Sequence, residues 1–251
     1  MVMPTIKENK WGWDEHHKWP QRGDEWSESW GGHEAQWYGT IYPRIHAFLP
    51  AGTILEIAPG FGRWTRYLKD QCRMLVAVDL ADKCVAACKE RFAAYPQVVV
   101  YQNDGLSLDM VQDGSVDFVF SFDSLVHVEA DVIASYLWQI KKKLTPDGVG
   151  FIHHSNLAEC PPNLPVEKVH WRGMMAAAIF EQHCVSAGMR CIVQEKVNWT
   201  GGAMLLDCFS TFTLMDSKWD RGNLVIDNDR LMLEADMVRE LSRAYHCYRK
   251  D

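Results

Sequence analysis

The run Ile54-Leu55-Glu56-Ile57-Ala58-Pro59-Gly60-Phe61-Gly62-Arg63-Trp64-Thr65 limits what this chain can become more than any other stretch. An apolar strand enters a glycine-bearing turn, and the turn opens a helix. In that arrangement the backbone can approach a bound cofactor without side chains in the way. A second apolar strand, Met74-Leu75-Val76-Ala77-Val78, ends at Asp79, 23 positions after Glu56. A carboxylate there can accept hydrogen bonds from both hydroxyls of a ribose.

Glycine spacing separates two cofactor classes. A nicotinamide fingerprint, G-x-G-x-x-G, needs a third glycine for close helix–strand packing beneath a pyrophosphate. The corresponding positions here are Ala58, Gly60 and the bulky cation Arg63, so the pattern fails. The acidic-x-small-x-Gly-x-Gly set resembles the class I S-adenosylmethionine (SAM)-dependent methyltransferases, with Glu56 to Gly62 as their first motif and Asp79 as their second. Ala58 stands where that family most often carries glycine. The resemblance spans roughly residues 50–215 and implies SAM as cofactor. It places Gly60 and Gly62 beside the methionine part, with Glu56 fixing the loop and Ala58 a further cofactor contact. Asp79 takes the ribose hydroxyls, and Leu80 is a further cofactor contact. Asp104, ending strand three, accepts from the adenine 6-amino group, and Asn103, Gly105 and Ser121 are further cofactor contacts. A plain turn is the competing reading of Asn103-Asp104-Gly105, since all three residue types favour turns.

A chain of 251 residues, 47% of them hydrophobic, can bury one substantial core and fits one α/β domain with extensions. No apolar run approaches the roughly 20 residues needed to cross a bilayer, so no membrane partner is expected. Lys7, Glu8, Lys10, Asp14 and Glu15 leave no apolar centre for a secretory signal. The eight cysteines show neither C-x-x-C nor an even framework. They read as reduced, buried thiols in a cytoplasmic protein without a zinc site. A net charge of −7 argues against a nucleic-acid partner.

Residues 1–40 hold six of the eleven tryptophans, Trp11, Trp13, Trp19, Trp26, Trp30 and Trp37, among acids, histidines and glycines. That is too aromatic for a disordered tail. The segment reads as a strap whose indoles plug gaps on the core, as a cap over the substrate, or as both. Trp37, Ile41, Ile45 and Phe48 fall at helical spacing over 35–49. Strands then alternate with helices: strands at 53–58, 74–79, 98–101, 116–121 and 149–154, and helices at 63–70, about 81–94 and about 129–144. Leu144-Thr145-Pro146-Asp147-Gly148 reads as a turn, with proline stopping the helix and glycine supplying a left-handed bend. A proline-broken insert, a helix at about 171–187 and strands near 190–197 and 205–214 follow. Only Asn198-Trp199-Thr200-Gly201-Gly202 joins those last two strands, too short for a crossover helix, so they pair as an antiparallel hairpin.

The expected fold is therefore α/β: a Rossmann-like doubly wound, mostly parallel seven-stranded sheet with a C-terminal antiparallel hairpin and a Trp-rich N-terminal extension. Three regions follow: a strap and helix capping the substrate site over 1–50, a methyltransferase core over 51–215, and a helical extension over 216–251. The helix at about 229–248 serves packing or a homodimer.

Ligands of such sheets sit beyond the carboxyl ends of the strands. Strand four ends in Ser121-Phe122-Asp123-Ser124-Leu125-Val126-His127. It lacks the Asn/Asp-Pro-Pro-Tyr/Phe segment with which base-methylating enzymes grip a flipped base. Asp123 is placed to meet the cofactor ammonium or the acceptor. His127 can take a proton from a hydroxyl, or serve as a structural hydrogen-bonder. Strand five ends in His153-His154-Ser155-Asn156. Successive strand residues face opposite sides, so one histidine alone looks toward a substrate. His154, nearer the exit, is the favoured base, with His153, Asn156 and Trp37 contacting the acceptor. The alternative is that both histidines cap the strand. Asp123, Glu159 and Asn156 could be recruited for Mg²⁺, but their spacing is not diagnostic and no metal is assigned.

An alcohol needs a base or a metal before methylation, whereas an amine need only arrive neutral. Two candidate histidines thus point to methylation of a hydroxyl on a small molecule, either a sugar, a glycan or a secondary metabolite. The alternatives are an N-methyltransferase of a small amine and a non-catalytic partner protein with the SAM fold.

Overall fold

The computed structural model describes residues 5–162, 164 and 171–246. Its eight strands form one sheet: β1 Ala51–Ile57, β2 Cys72–Asp79, β3 Val98–Gln102, β4 Val116–Ser121, β5 Leu144–Ser155, β6 Met189–Val197, β7 Asp207–Leu214 and β8 Leu224–Asn228. Their spatial order is β3-β2-β1-β4-β5-β7-β6-β8. The first five strands run parallel, and β7 is antiparallel to both β5 and β6. This is the Rossmann-like arrangement with its terminal hairpin that chain order predicts. Five helices are labelled: α1 Ile6–Trp11, α2 Asp82–Arg91, α3 Ala130–Lys143, α4 Ala177–Ser186 and α5 Leu231–His246.

Strand alternation sorts the apolar residues between two cores. Leu55, Ile57, Val76, Val78 and Val119 face α3 and α4, meeting Ile133, Leu137, Ile140 and Phe180. Ile54, Leu75, Phe118, Phe120 and Phe151 face the other way, toward Trp37, Ile41 and Ile45 and toward α2. Helical turns between His33 and Phe48 therefore supply a layer of the core itself. Within the 1–50 extension, the roofing part is the stretch over residues 5–30.

That roof is tied to the sheet by polar contacts. The Lys10 ammonium bridges Asp14 (2.8 Å) and Asp82 (2.6 Å). Asp14 Oδ1 accepts the Lys83 N–H (2.9 Å) in the first turn of α2, doing from a distance what an N-cap side chain does locally. Trp19 stacks on Phe61 with centroids 4.4 Å apart and planes 10° from parallel.

Two expectations require correction. Residues 144–148 continue directly from α3 into β5 rather than making a turn, and Gly148 is not left-handed. The register slips between Val116↔Leu144 and Phe118↔Val149, so the extra residues are absorbed as a bulge. Gly148 is needed for space: a Cβ there would lie 2.9 Å from the Val116 carbonyl. The region after 216 is not purely helical. Leu224–Asn228 adds an eighth strand parallel to β6, with Asn228 Nδ2 donating to Glu195 (2.6 Å). Five residues facing solvent on an edge carry no alternation for sequence reasoning to find.

Candidate functional site

Beyond Ile57 the chain turns sharply, with left-handed backbone at Ala58 (φ 57°), Gly60 (φ 58°) and Gly62 (φ 78°). Gly60 faces a cavity, and a Cβ on it would meet the Trp19 ring at 2.9 Å. Gly62 does a different job. A Cβ there would lie 2.4 Å from Phe92, so this glycine lets the loop close onto the segment that ends α2, and it does not line the cavity. Glu56 also lies beneath the loop. It accepts the Thr65 hydroxyl (2.6 Å), and burial pushes its pKa up to about 8.

The cavity measures about 310 Å³ and opens at the carboxyl ends of β1, β2 and β4. At one end Asp79 is buried, its Oδ2 accepting Gly60 N–H (3.0 Å) and its Oδ1 accepting Ala81 N–H (2.9 Å). Burial raises its pKa to about 6 against the lowering effect of those N–H donors. Leu80 and Gly105 line the same end, with Ile6 from the strap packed against both.

Three expected contacts are otherwise engaged. Asp104 is exposed, and its Oδ1 accepts the N–H groups of Leu106 and Ser107, which is the plain turn. Asn103 donates to the Ser107 carbonyl and to Tyr136 Oη, and it is Tyr136 that reaches the cavity. Ser121 donates to the Ile57 carbonyl (2.8 Å) and clips β4 to β1.

Trp13, Trp19, Trp26, Phe122 and Trp199 wall the other end. Asp123, held at φ 59°, accepts a 2.7 Å hydrogen bond from Arg63. His127 also lines the cavity. Its Nδ1 is 3.2 Å from the Trp171 carbonyl, which can only accept, so Nδ1 carries the proton and Nε2 keeps a lone pair. Burial, reinforced by Arg172, lowers its pKa to about 4 and keeps the ring neutral at pH 7.

Strand five contributes differently from expectation. His154 is buried against Phe180 on the α4 side, with Nδ1 on the Ser155 carbonyl and Nε2 on Ser210 Oγ (both 2.8 Å), and does not line the cavity. His153 faces the opposite side of the sheet, as alternation requires, but it does not line the cavity either: it is buried behind Phe122 and Trp199. Its Nδ1 accepts the Asp123 N–H (3.1 Å), and its Nε2 is 3.3 Å from Asp207 Oδ2. Asn156 is consumed by the Leu205 carbonyl and Ala177 N–H. Trp37 is a core residue stacked on Tyr67.

Sequence reasoning missed Arg63, Arg172 and Asp207. Arg172 reaches Asp207 through two hydrogen bonds of 2.6 and 2.7 Å. Burial would raise the Asp207 pKa, but Arg172 and then His153 outweigh it and hold the carboxyl well below the usual range. An acid opening the second strand of the hairpin was the available signal. Among the described residues no group of three His, Cys, Asp or Glu side chains is placed to hold a metal ion.

A parallel sheet with a carboxylate ending β2 and a glycine loop ending β1 defines a nucleoside-binding α/β domain. Residues 54–148 match a family described as a methyltransferase domain. That segment is similar to a SAM-dependent methyltransferase domain. It is 42% identical over 74 residues to Ribosomal RNA small subunit methyltransferase A of Geobacter sulfurreducens, covering 28% of this chain and 27% of that one. It is 31% identical over 118 residues to Phosphoethanolamine N-methyltransferase 1 of Triticum aestivum, covering 45% and 24%. The chain thus spans about a quarter of the length of these curated relatives. Among solved structures, the glycopeptide N-methyltransferase MtfA complexed with SAM superposes with a TM-score of 0.53 at 16% identity, covering 70% of this chain and 86% of that one. That likeness is one of fold. With an RNA-modifying enzyme among the relatives, net negative charge does not by itself exclude a nucleic-acid partner.

Proposed function

We propose that this chain is an enzyme that binds SAM in the cavity and methylates a hydroxyl of a small molecule held under the tryptophan strap. The observation that carries the reading is one continuous cavity running from Asp79 to His127. Its residues suit the cofactor: the Asp79 carboxylate for the ribose hydroxyls, Leu80 and Gly105 for the adenine, and Ala58 and Gly60 for the methionine part. Trp64 adds a buried indole N–H without a hydrogen-bond partner among the described residues, a donor for a carboxylate. Bound SAM supplies a methyl group already activated by its sulfonium. The protein then has to align an oxygen with that methyl and receive one proton. His127 Nε2 is the receiving atom. Asp123 is held beside it by Arg63 and by the His153 ring.

The amine reading draws on other observations. The indole faces suit a cation, and two of the proteins this chain resembles are named as N-methyltransferases.

Calorimetric titration of SAM into wild type and Asp79→Ala tests the cofactor site: clear binding to the first and none to the second is expected. Labelled methyl transfer over alcohols, phenols, amines and RNA then tests the acceptor. His127→Ala should lower O-methylation about 100-fold or more, while an amine acceptor would keep most of its rate. Unchanged O-methylation in His127→Ala would sink the role given to His127, and transfer to amines alone would sink the hydroxyl assignment.

A further inference from the structure

The acceptor end of the cavity carries rings in abundance and little free polarity. Trp13 stands nearly perpendicular to Trp26 (80°, centroids 6.5 Å apart) and is tilted 49° from Trp19 at 5.8 Å. Phe122 and Trp199 supply a second pair of faces, 5.7 Å apart at 62°. Corners of this kind accept flat rings by stacking and by edge-to-face contact.

The charges are already matched. Arg63 is paired with Asp123, and Arg172 with Asp207. A cationic acceptor would face two guanidiniums whose carboxylates are taken. An anionic acceptor would face guanidiniums whose charge is already neutralised. Two further polar groups are spoken for: the Ser124 hydroxyl donates to the Ala58 carbonyl (2.8 Å) and Trp19 Nε1 to the Trp13 carbonyl (3.1 Å). A molecule bearing many hydroxyls would find few charged or hydroxyl partners for them against these ring faces, and each one buried unpaired weakens binding. His127 Nε2, by contrast, makes no hydrogen bond among the described residues and can serve one hydroxyl.

We propose that the acceptor is a neutral, planar aromatic molecule with a phenolic hydroxyl, seated against the indole walls with its oxygen on His127 Nε2. This rests on the reading of the cavity as a SAM methyl-transfer site and narrows it. A lone pair of the phenol oxygen forms the new O–CH₃ bond, and the S–CH₃ bond breaks with its electron pair passing to sulfur. The hydroxyl proton goes to His127 Nε2 and on to water, leaving an aryl methyl ether and a neutral thioether. A weakly basic imidazole can serve a phenol, which gives up its proton at about 10, far better than an aliphatic alcohol, which holds its proton much more tightly. Sugar hydroxyls belong to the second group.

The test uses four probes: 4-chlorophenol, cyclohexanol, methyl β-D-glucopyranoside and 2-phenylethylamine. Each is titrated by quenching of tryptophan fluorescence with S-adenosylhomocysteine saturating, and each is assayed for labelled methyl transfer. The phenol is expected to bind at least tenfold more tightly than the other three and to be the methylated one. Trp26→Ala should weaken phenol binding more than tenfold while SAM affinity in calorimetry stays the same, and Trp26→Phe should restore most of it. Faster methylation of the glucoside, cyclohexanol or the amine overturns the proposal. So does normal SAM binding with no phenol binding. A protein that binds no SAM at all overturns the underlying reading as well, and calorimetry tells these outcomes apart.

Discussion

Asp79 is the residue on which cofactor binding turns, and its chemistry fixes a pH dependence. Only the ionised carboxylate can accept from both ribose hydroxyls while holding two backbone N–H groups. With its pKa raised to about 6, SAM affinity should be flat above pH 7. It should fall about tenfold per unit as pH drops below 6, followed by calorimetry. Asp79→Asn should cost about 30-fold or more in affinity at pH 8. Ala58 invites the opposite experiment. Its left-handed φ of 57° strains a residue with a Cβ, so Ala58→Gly should be neutral or stabilising by up to about 1 kcal/mol in denaturant titration. Single residues were where the sequence was hardest to read. Gly60, Asp79 and His127 face the cavity as expected because strand ends and a glycine loop leave them few alternatives. Asp104 and His154 had local partners within three residues, and no spacing argument could weigh those against a ligand.

At the scale of elements, the strap and α2 act on the cavity together. Asp14 binds the first turn of α2, and its charge also raises the Asp79 pKa. Asp14→Ala should lower stability by about 1 kcal/mol through loss of that cap. It should also move the acid limb of SAM binding to lower pH, which a purely structural loss would not do; an unchanged limb would separate the two carboxylates. The alternation of strands and helices and the antiparallel hairpin were legible because period and loop length dictate them. β8 and the direct passage from α3 into β5 were not. The first lies on a solvent edge and the second depends on a bulge against β4. The tryptophans were legible as a group and not one by one: Trp30 and Trp37 are core, while Trp13, Trp19 and Trp26 line the cavity.

For the whole molecule, the buried acids set how stability varies with pH. Glu56 has a folded pKa near 8 against an ordinary 4.5. Its favourable contribution is complete below pH 4.5 and is lost as pH rises through 8. Wild type should therefore lose on the order of a few kcal/mol toward alkaline pH, and Glu56→Gln should flatten that decline in thermal unfolding between pH 5 and 9. A second whole-molecule feature is Arg44, which joins Glu195 of β6 (2.7 and 2.8 Å) to Glu234 of α5 (both 3.1 Å). Arg44→Ala should destabilise by about 3 kcal/mol, since the largely buried Glu195 and the partly exposed Glu234 lose their partner.

Glu234 also accepts the Thr40 hydroxyl (2.5 Å), and Thr40 in turn accepts from the Trp30 indole (2.8 Å). A little further along α5, Arg239 lies across Gly31. The last helix thus grips the segment in which the tryptophan-bearing stretch terminates. Deleting everything after residue 230 should therefore be felt well away from the cut, as weaker retention of the nucleoside and not merely as a lower melting temperature.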